Sequence, residues 1–299
     1  MSTTVPKRSI ALLGCALLAT GLTTTTATAR AEQSGGARHV ALGDSYASGA
    51  GIPAQSAGLC MRSDQNYGQR VADALGAAHY TDVSCAGAKA SALTKPQTDL
   101  GVPVNGAQLD AVTPDTTLVT LTIGGNNLGT SDMGFVDVIA ACSALSPTDP
   151  LGAPCRDLYT DGDGGDTLVA RLAAAGSELT AALRRIHTTA PRARVVVVGY
   201  PSVIPADPRK CLGKLPITTG DIAYLHGVLG ELNDMVARTA AAGGATYVDT
   251  VAATRGHDSC SADPWIEGLF PASPALPLHP DATGQRVMAD AVLAALGRG

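Results

Sequence analysis

The sequence predicts a three-layer α/β/α sandwich built on a five-stranded parallel sheet. Two observations carry this expectation. Five short apolar runs recur along the chain, "HVAL" from His39, "YTDVSC" from Tyr80, "LVTLTI" from Leu118, "ARVVVVGY" from Ala193 and "ATYVDT" from Ala245. Amphipathic helical patterns alternate with them, and that alternation is the mark of a parallel sheet covered on both faces.

The elements follow in chain order. Lys7 and Arg8 precede the apolar run "IALLGCALLATGL", Ile10 to Leu22, and a Thr/Ala stretch that reaches Ala29-Arg30-Ala31. This layout reads as a secretory signal peptide over residues 1–31, since the run is too short to span a bilayer. A lipoprotein reading through Cys15 is disfavoured by the bulky Leu13 and by apolar residues continuing past the cysteine. Residues 32–299, about 268 in all, suffice for one α/β domain with a sizeable core. The first strand stops at Gly43-Asp44-Ser45, which puts Ser45 at its C-terminal tip, although Ser there equally serves as a helix cap. His79 is expected to end a helix before the second strand, which runs into "SCAGAKAS". The third runs into "TIGGNNLG".

Phe135 to Asp166 has no clear period and is expected to be an irregular insertion near the site. Its "DGDGGD" fails as a calcium loop, because the twelfth position from Asp161 is Leu172 rather than Glu; a turn with Asp166 as helix N-cap fits better. Leu168, Leu172, Ala175, Leu179, Leu183 and Ile186 mark one helix, and Ile222, Leu225, Leu229, Leu232 and Val236 another. A last helix is expected from Thr283 to Leu296, directly after His279.

The formal charge of −5 and the lack of a basic run argue against nucleic acid. One Trp and two Phe are few for a sugar-binding cleft, whereas an acyl chain needs only an aliphatic groove. Six cysteines lie beyond the leader, Cys60, Cys85, Cys142, Cys155, Cys211 and Cys260. In an exported chain they imply three disulfides out of fifteen connectivities, and none is spaced for zinc.

A serine hydroxyl needs a base and donors for the oxyanion formed on attack. Of six histidines, His39 and His187 fall at the wrong sheet edge, His79 beside a strand start and His226 within a helix stripe. His257 and His279 remain. His279 in "PLHPDATGQ", held between prolines before a helix, is preferred, and His257 in "RGHDSC" is the alternative. Gly87 offers a closely approachable backbone N–H, and Asn126, after Gly124 and Gly125, offers a side-chain amide at the same sheet edge.

Residues "GDSY" from Gly43, Gly87 in "CAGAKA", Asn126 in "GGNN" and His279 in "PLHP" resemble the four sequence blocks of the SGNH, or GDSL-type, hydrolases. The likeness covers nearly all of residues 38–299 and is strongest to their secreted actinobacterial lipase/esterase branch. It implies the flavodoxin-like fold of that superfamily, Ser45 as nucleophile, His279 as base, and an oxyanion hole of the Ser45 and Gly87 N–H groups with the Asn126 side chain. It implies a secreted hydrolase of acyl esters, most of all lipids, that needs no cofactor or metal, has no stable membrane anchor and works as a monomer. The cysteines sit as in that branch, with Cys60–Cys85, Cys142–Cys155 and Cys211–Cys260 the expected pairs. The alternatives are a carbohydrate O-acetyl esterase and a non-catalytic acyl-ligand-binding protein.

Three departures stand out. Tyr46 replaces the Leu of GDSL, and Asn127 replaces an Asp that usually follows the third-block Asn. The superfamily's triad acid lies three residues before the histidine, where this chain has Leu276. Either a main-chain carbonyl, from Pro277 or Leu276, orients His279, or a distant acid such as Asp263 does; the expectation is the carbonyl.

Overall fold

The computed structural model describes residues 1–4, 36–99, 101–131, 134–160 and 163–298. Contacts divide the chain into Met1–Ser34 and Gly35–Gly299, and the fold belongs to the second unit. The signal peptide expected over residues 1–31, Cys15 included, lies beyond its first four residues outside the described ones, as do Asp161 and Gly162 of the "DGDGGD" patch.

Five strands form one sheet: β1 (Arg38–Gly43), β2 (His79–Asp82), β3 (Leu118–Thr122), β4 (Arg194–Val198) and β5 (Thr246–Val248), in spatial order β2-β1-β3-β4-β5 and parallel throughout. The seven α-helices among the described residues are α1 (Ser45–Ser48), α2 (Tyr67–Leu75), α3 (Phe135–Leu145), α4 (Pro154–Tyr159), α5 (Thr167–Thr189), α6 (Thr219–Ala242) and α7 (Ala282–Ala295). The expected sandwich is thus borne out.

The alternation of β4 shows why both faces read as apolar. Val195 and Val197 join the cluster formed with α5 and α6, while Val196 and Val198 join Tyr67, Val71, Met288 and Val292 of α2 and α7. Burying each such side chain contributes about 1.5–3 kcal/mol. Two polar side chains of β3 are buried on the α2/α7 face, and both are satisfied: Thr120 by His39 Nε2 at 2.8 Å and Thr122 by the Tyr67 hydroxyl at 3.0 Å. Burial holds His39 down to about 3, so the ring stays neutral.

Two expectations need correction. His79 does not end a helix: α2 stops at Leu75 with left-handed Gly76 as its cap, and His79 opens β2. Phe135–Asp166 is largely helical rather than irregular. It carries α3 and α4, joined by the Cys142–Cys155 disulfide, and Asp166 caps α5 by accepting from the amides of Leu168 and Val169. Cys60 with Cys85 and Cys211 with Cys260 also stand at bonding distance.

Candidate active site

Strand order reverses between β1 and β3, the place where open α/β sheets leave a crevice beyond their strand ends. β1 ends at Gly43 with φ 133°, and a Cβ there would stand 2.3 Å from the Thr122 carbonyl oxygen, so only glycine lets β1 and β3 run so close to the turn. The Gln108 side chain accepts from the Gly43 N–H at 2.7 Å and donates to its carbonyl at 2.9 Å. Asp44 then caps α1, accepting from the Tyr46 N–H at 2.9 Å, and Ser45 takes the first helical position with 6% exposure. The hydroxyl is thereby fixed at the sheet edge.

The Ser45 Oγ lies 2.7 Å from His279 Nε2, and His279 Nδ1 lies 2.8 Å from the Pro277 carbonyl oxygen. A carbonyl only accepts, so Nδ1 carries the proton and Nε2 presents its lone pair to the serine hydroxyl. The Leu276 carbonyl is engaged differently, accepting from the His279 backbone N–H at 3.1 Å. Loss of hydration in the cleft pulls the imidazole down to about 4, with the Pro277 hydrogen bond opposing the shift.

The histidine loop is clamped from several sides. Leu278 has φ 61°, an uncommon backbone for a branched residue. It is held there by its N–H to the Glu267 carbonyl at 3.1 Å, by the Glu267 N–H to the His279 carbonyl at 2.9 Å, and by the Tyr46 hydroxyl to the Leu278 carbonyl at 2.6 Å. The Tyr46 ring lies 4.6 Å from the imidazole. Tyr46, where the motif usually has Leu, therefore props the histidine loop.

His257 and Asp263 do not join this pair. His257 stacks on Trp265 with ring centroids 3.4 Å apart, and its Nδ1 is 2.7 Å from the Asp263 carbonyl and 3.4 Å from that residue's carboxylate. Asp258 accepts from the Cys260 N–H, and Asp281 caps α7 by accepting from the Gly284 N–H at 2.7 Å.

Asn126 sits on a one-turn 3-10 segment, Gly125–Leu128, directly after β3, and lines the same cleft as Ser45 and His279. Its Nδ2 donates to the Ala88 carbonyl at 3.1 Å, which leaves one amide N–H for another acceptor. Asn127 Oδ1 accepts from the Ala90 N–H at 2.9 Å, so the amide side chain ties the Asn126 turn to the segment after Gly87 without a carboxylate. Gly134 packs on Asn126 so closely that a Cβ would stand 2.2 Å from Oδ1. Gly87, with φ 74°, lies one residue before Ala88 and lines a smaller pocket with Lys89 and Gln97 rather than the main cleft. Among the described residues its N–H has no backbone acceptor.

The main cleft encloses about 350 Å³ and is walled by Leu128, Phe135, Val136, Ile139, Leu229, Leu232 and Leu269. Helices α3 and α6 supply most of that wall. Among the described residues no group of three or more His, Cys, Asp or Glu side chains is placed to hold a metal ion.

Sequence patterning did not single out Tyr200, Glu267 or Gly134. The 2%-exposed Tyr200 donates from its hydroxyl to Asp44 and accepts there from the Gly125 N–H at 2.7 Å. Burial pushes the Asp44 carboxyl up to about 7, and the Tyr200 hydrogen bond opposes that rise. The "VGY" end of β4 at a sheet edge was the available signal.

A serine hydroxyl paired with a carbonyl-held histidine beside an apolar cleft, at the switch point of a 2-1-3-4-5 parallel sheet, is an arrangement able to cleave esters by nucleophilic attack. The chain belongs to the GDSL-like Lipase/Acylhydrolase family, whose pattern matches residues 41–287. It is 42% identical over 289 residues to a Streptomyces coelicolor protein named Lipase 2, covering 94% of this chain and 93% of that one. Among solved structures it resembles a phospholipase A1 from Streptomyces albidoflavus, with TM-score 0.68, 29% identity, and 87% of this chain and 99% of that chain covered. It also resembles an extracellular lipase from Streptomyces rimosus, with TM-score 0.63, 26% identity, and coverage of 87% and 99%. The chain is accordingly a carboxylic ester hydrolase of lipase/esterase type.

Proposed function

We propose that this hydrolase is a secreted enzyme that cleaves acyl esters of lipids through an acyl-enzyme on Ser45. The observation that carries the reading is the hydrogen-bonded series from Ser45 Oγ to His279 to the Pro277 carbonyl, opening onto a cleft walled by aliphatic side chains. Ser45 Oγ attacks the ester carbonyl carbon while His279 Nε2 takes the hydroxyl proton. The carbonyl oxygen becomes an oxyanion that the free Asn126 Nδ2–H and the Ser45 and Gly87 N–H groups stabilise. Collapse expels the alcohol, which leaves with the proton from His279. Water repeats the sequence on the acyl-enzyme and frees the fatty acid and Ser45.

The pairing of His279 with a neutral carbonyl makes the site a dyad. A carbonyl selects the tautomer as a carboxylate does, though it stabilises the imidazolium less. Export is supported by the three disulfides and by the leader pattern. No described helix is long and apolar enough to cross a membrane. The cleft wall favours acyl chains over the sugar of an O-acetylated carbohydrate, and the enzyme acts as a monomer.

Hydrolysis of p-nitrophenyl esters from C2 to C16 tests the reading. Turnover extending to medium and long chains, abolished in a folded Ser45→Ala protein, is expected. Activity confined to acetyl esters points to a carbohydrate esterase, and binding of fatty acid without turnover points to a carrier.

A further inference from the structure

Tyr200 stands two residues beyond the end of β4, on a strand that contributes nothing to the hydrogen-bonded pair of Ser45 and His279. Its hydroxyl nevertheless joins the two turns on which the site is built. It donates to one carboxylate oxygen of Asp44, whose other oxygen caps the turn bearing Ser45, and it accepts the Gly125 N–H at 2.7 Å. The Gly125–Leu128 turn has no side-chain cap of its own. Tyr200 supplies that cap from another strand, one residue before Asn126.

The fit is close as well as polar. A Cβ on Gly125 would stand 3.1 Å from the ring and hydroxyl of Tyr200, so the turn rests directly on the aromatic edge. The same ring packs edge-on against Tyr46 at 4.9 Å, and Tyr46 holds the histidine loop through the Leu278 carbonyl. The Ser45 turn, the Asn126 turn and the His279 loop thus each have a contact that leads to this side chain.

We propose that Tyr200 is a positioning residue, whose hydroxyl sets the spacing between Ser45 and Asn126 and so holds the Asn126 amide on the developing oxyanion; this rests on the roles given to those two residues above. An oxyanion donor works only within about 2.7–3.1 Å of the charge it stabilises. Without the hydroxyl, a buried amide and a buried carboxylate oxygen lose their partner together, and the Gly125–Leu128 turn shifts to recover a hydrogen bond. The stabilisation lost is specific to the transition state: Tyr200 lines the cleft itself, but its ring stays in place when only the hydroxyl is removed, and the aliphatic walls are unchanged.

Tyr200→Phe keeps the ring and removes only the hydroxyl. Its kcat is expected to fall about tenfold to a hundredfold, by a similar factor for butyrate and decanoate esters and with KM little changed, somewhat less than outright loss of a donor. Inhibition by an alkylboronic acid, whose boron accepts Ser45 Oγ to form a tetrahedral anion, should weaken by the same factor. Affinity for a neutral fatty alcohol filling the cleft should stay constant. A purely structural role would not produce that split. Retention of kcat within twofold overturns the inference, as does a loss that appears in KM with boronate inhibition intact. A wild-type enzyme insensitive to the boronic acid refutes the role of Ser45 itself, and this inference with it. Should Tyr200→Phe not fold, Tyr200→3-fluorotyrosine keeps the ring, strengthens donation to Asp44 and weakens only acceptance from the Gly125 N–H, so it isolates the Asn126 side; kcat and boronate inhibition should fall together at smaller amplitude, and unchanged kcat there overturns the inference.

Discussion

Replacing Asp281 by Asn removes the carboxylate nearest in sequence to His279 and separates a dyad from a triad. In the structure that carboxylate caps α7 through the Gly284 N–H, and the imidazole N–H is directed at the Pro277 carbonyl. Asn caps a helix about as well as Asp, so only the charge at the helix N-terminus is lost, about 0.3–1 kcal/mol. That corresponds to a melting temperature lower by at most about 4 °C. Because His279 keeps its acceptor, kcat should change less than tenfold. A triad acid would behave otherwise: its removal costs about 10⁴ in kcat, about 5.4 kcal/mol at 1.36 kcal/mol per decade. The assay is kcat at saturating p-nitrophenyl butyrate for Asp281→Asn, with Asp263→Asn and Asp258→Asn alongside and circular dichroism to confirm folding. A thousandfold loss in any one of the three folded variants refutes the dyad and names the missing acid.

Other consequences follow from the same geometry. Asn126→Ala should lower kcat by about 10²–10³ with little change in KM; a change in KM alone would contradict its role as a donor. His279 must be neutral to accept the serine proton, and burial lowers it to about 4, so kcat/KM should persist through pH 6 and fall on acidification towards 4. A His279 imidazole followed directly by NMR and titrating at about 6.5, the ordinary histidine value, would contradict the buried setting; a rate limb near 7 that disappears in Asp44→Asn reports Asp44 instead, whose carboxyl burial raises to about 7. Ile139→Trp, which fills the cleft, should cut kcat/KM for decanoate at least about tenfold more than for butyrate, since each methylene excluded from a pocket is worth about 1–3 kcal/mol; an unchanged ratio would show that the chain lies elsewhere. Replacing Cys211 and Cys260 by Ser should lower stability by a few kcal/mol, about what opening a loop of this span removes, read from denaturant unfolding.

What the sequence revealed, and what it hid, follows from the range of the interactions. β4 was legible because both its faces are buried, which leaves four consecutive valines, and the stripes of α5 and α6 were legible because each lays one side on the sheet. The two-stranded ribbons Gln55–Ser56 with Arg62–Ser63 and Gln97–Asp99 with Val102–Asn105 were not, because so few residues hold no period. α3 was hidden because its apolar residues run nearly all round it rather than in one stripe, and α4 because six residues are too few to show a period; a disulfide joins the two. At the site, Ser45 and His279 are flanked by glycine and proline, whose backbone constraints show locally. Tyr200 is 156 positions from Asp44, and no local pattern reports a hydrogen bond of that span. The Asn127 departure likewise found its meaning only in three dimensions, where its amide oxygen meets the Ala90 N–H.

The most direct test of catalysis by Ser45 is to treat the enzyme with an alkyl fluorophosphonate and map the adduct by peptide mass spectrometry. The phosphorus should be found on Ser45 alone, at one equivalent per chain in step with the loss of esterase activity, and no adduct should form in Ser45→Ala. Label on another side chain in the inactivated enzyme, or full hydrolysis by Ser45→Ala, would contradict it.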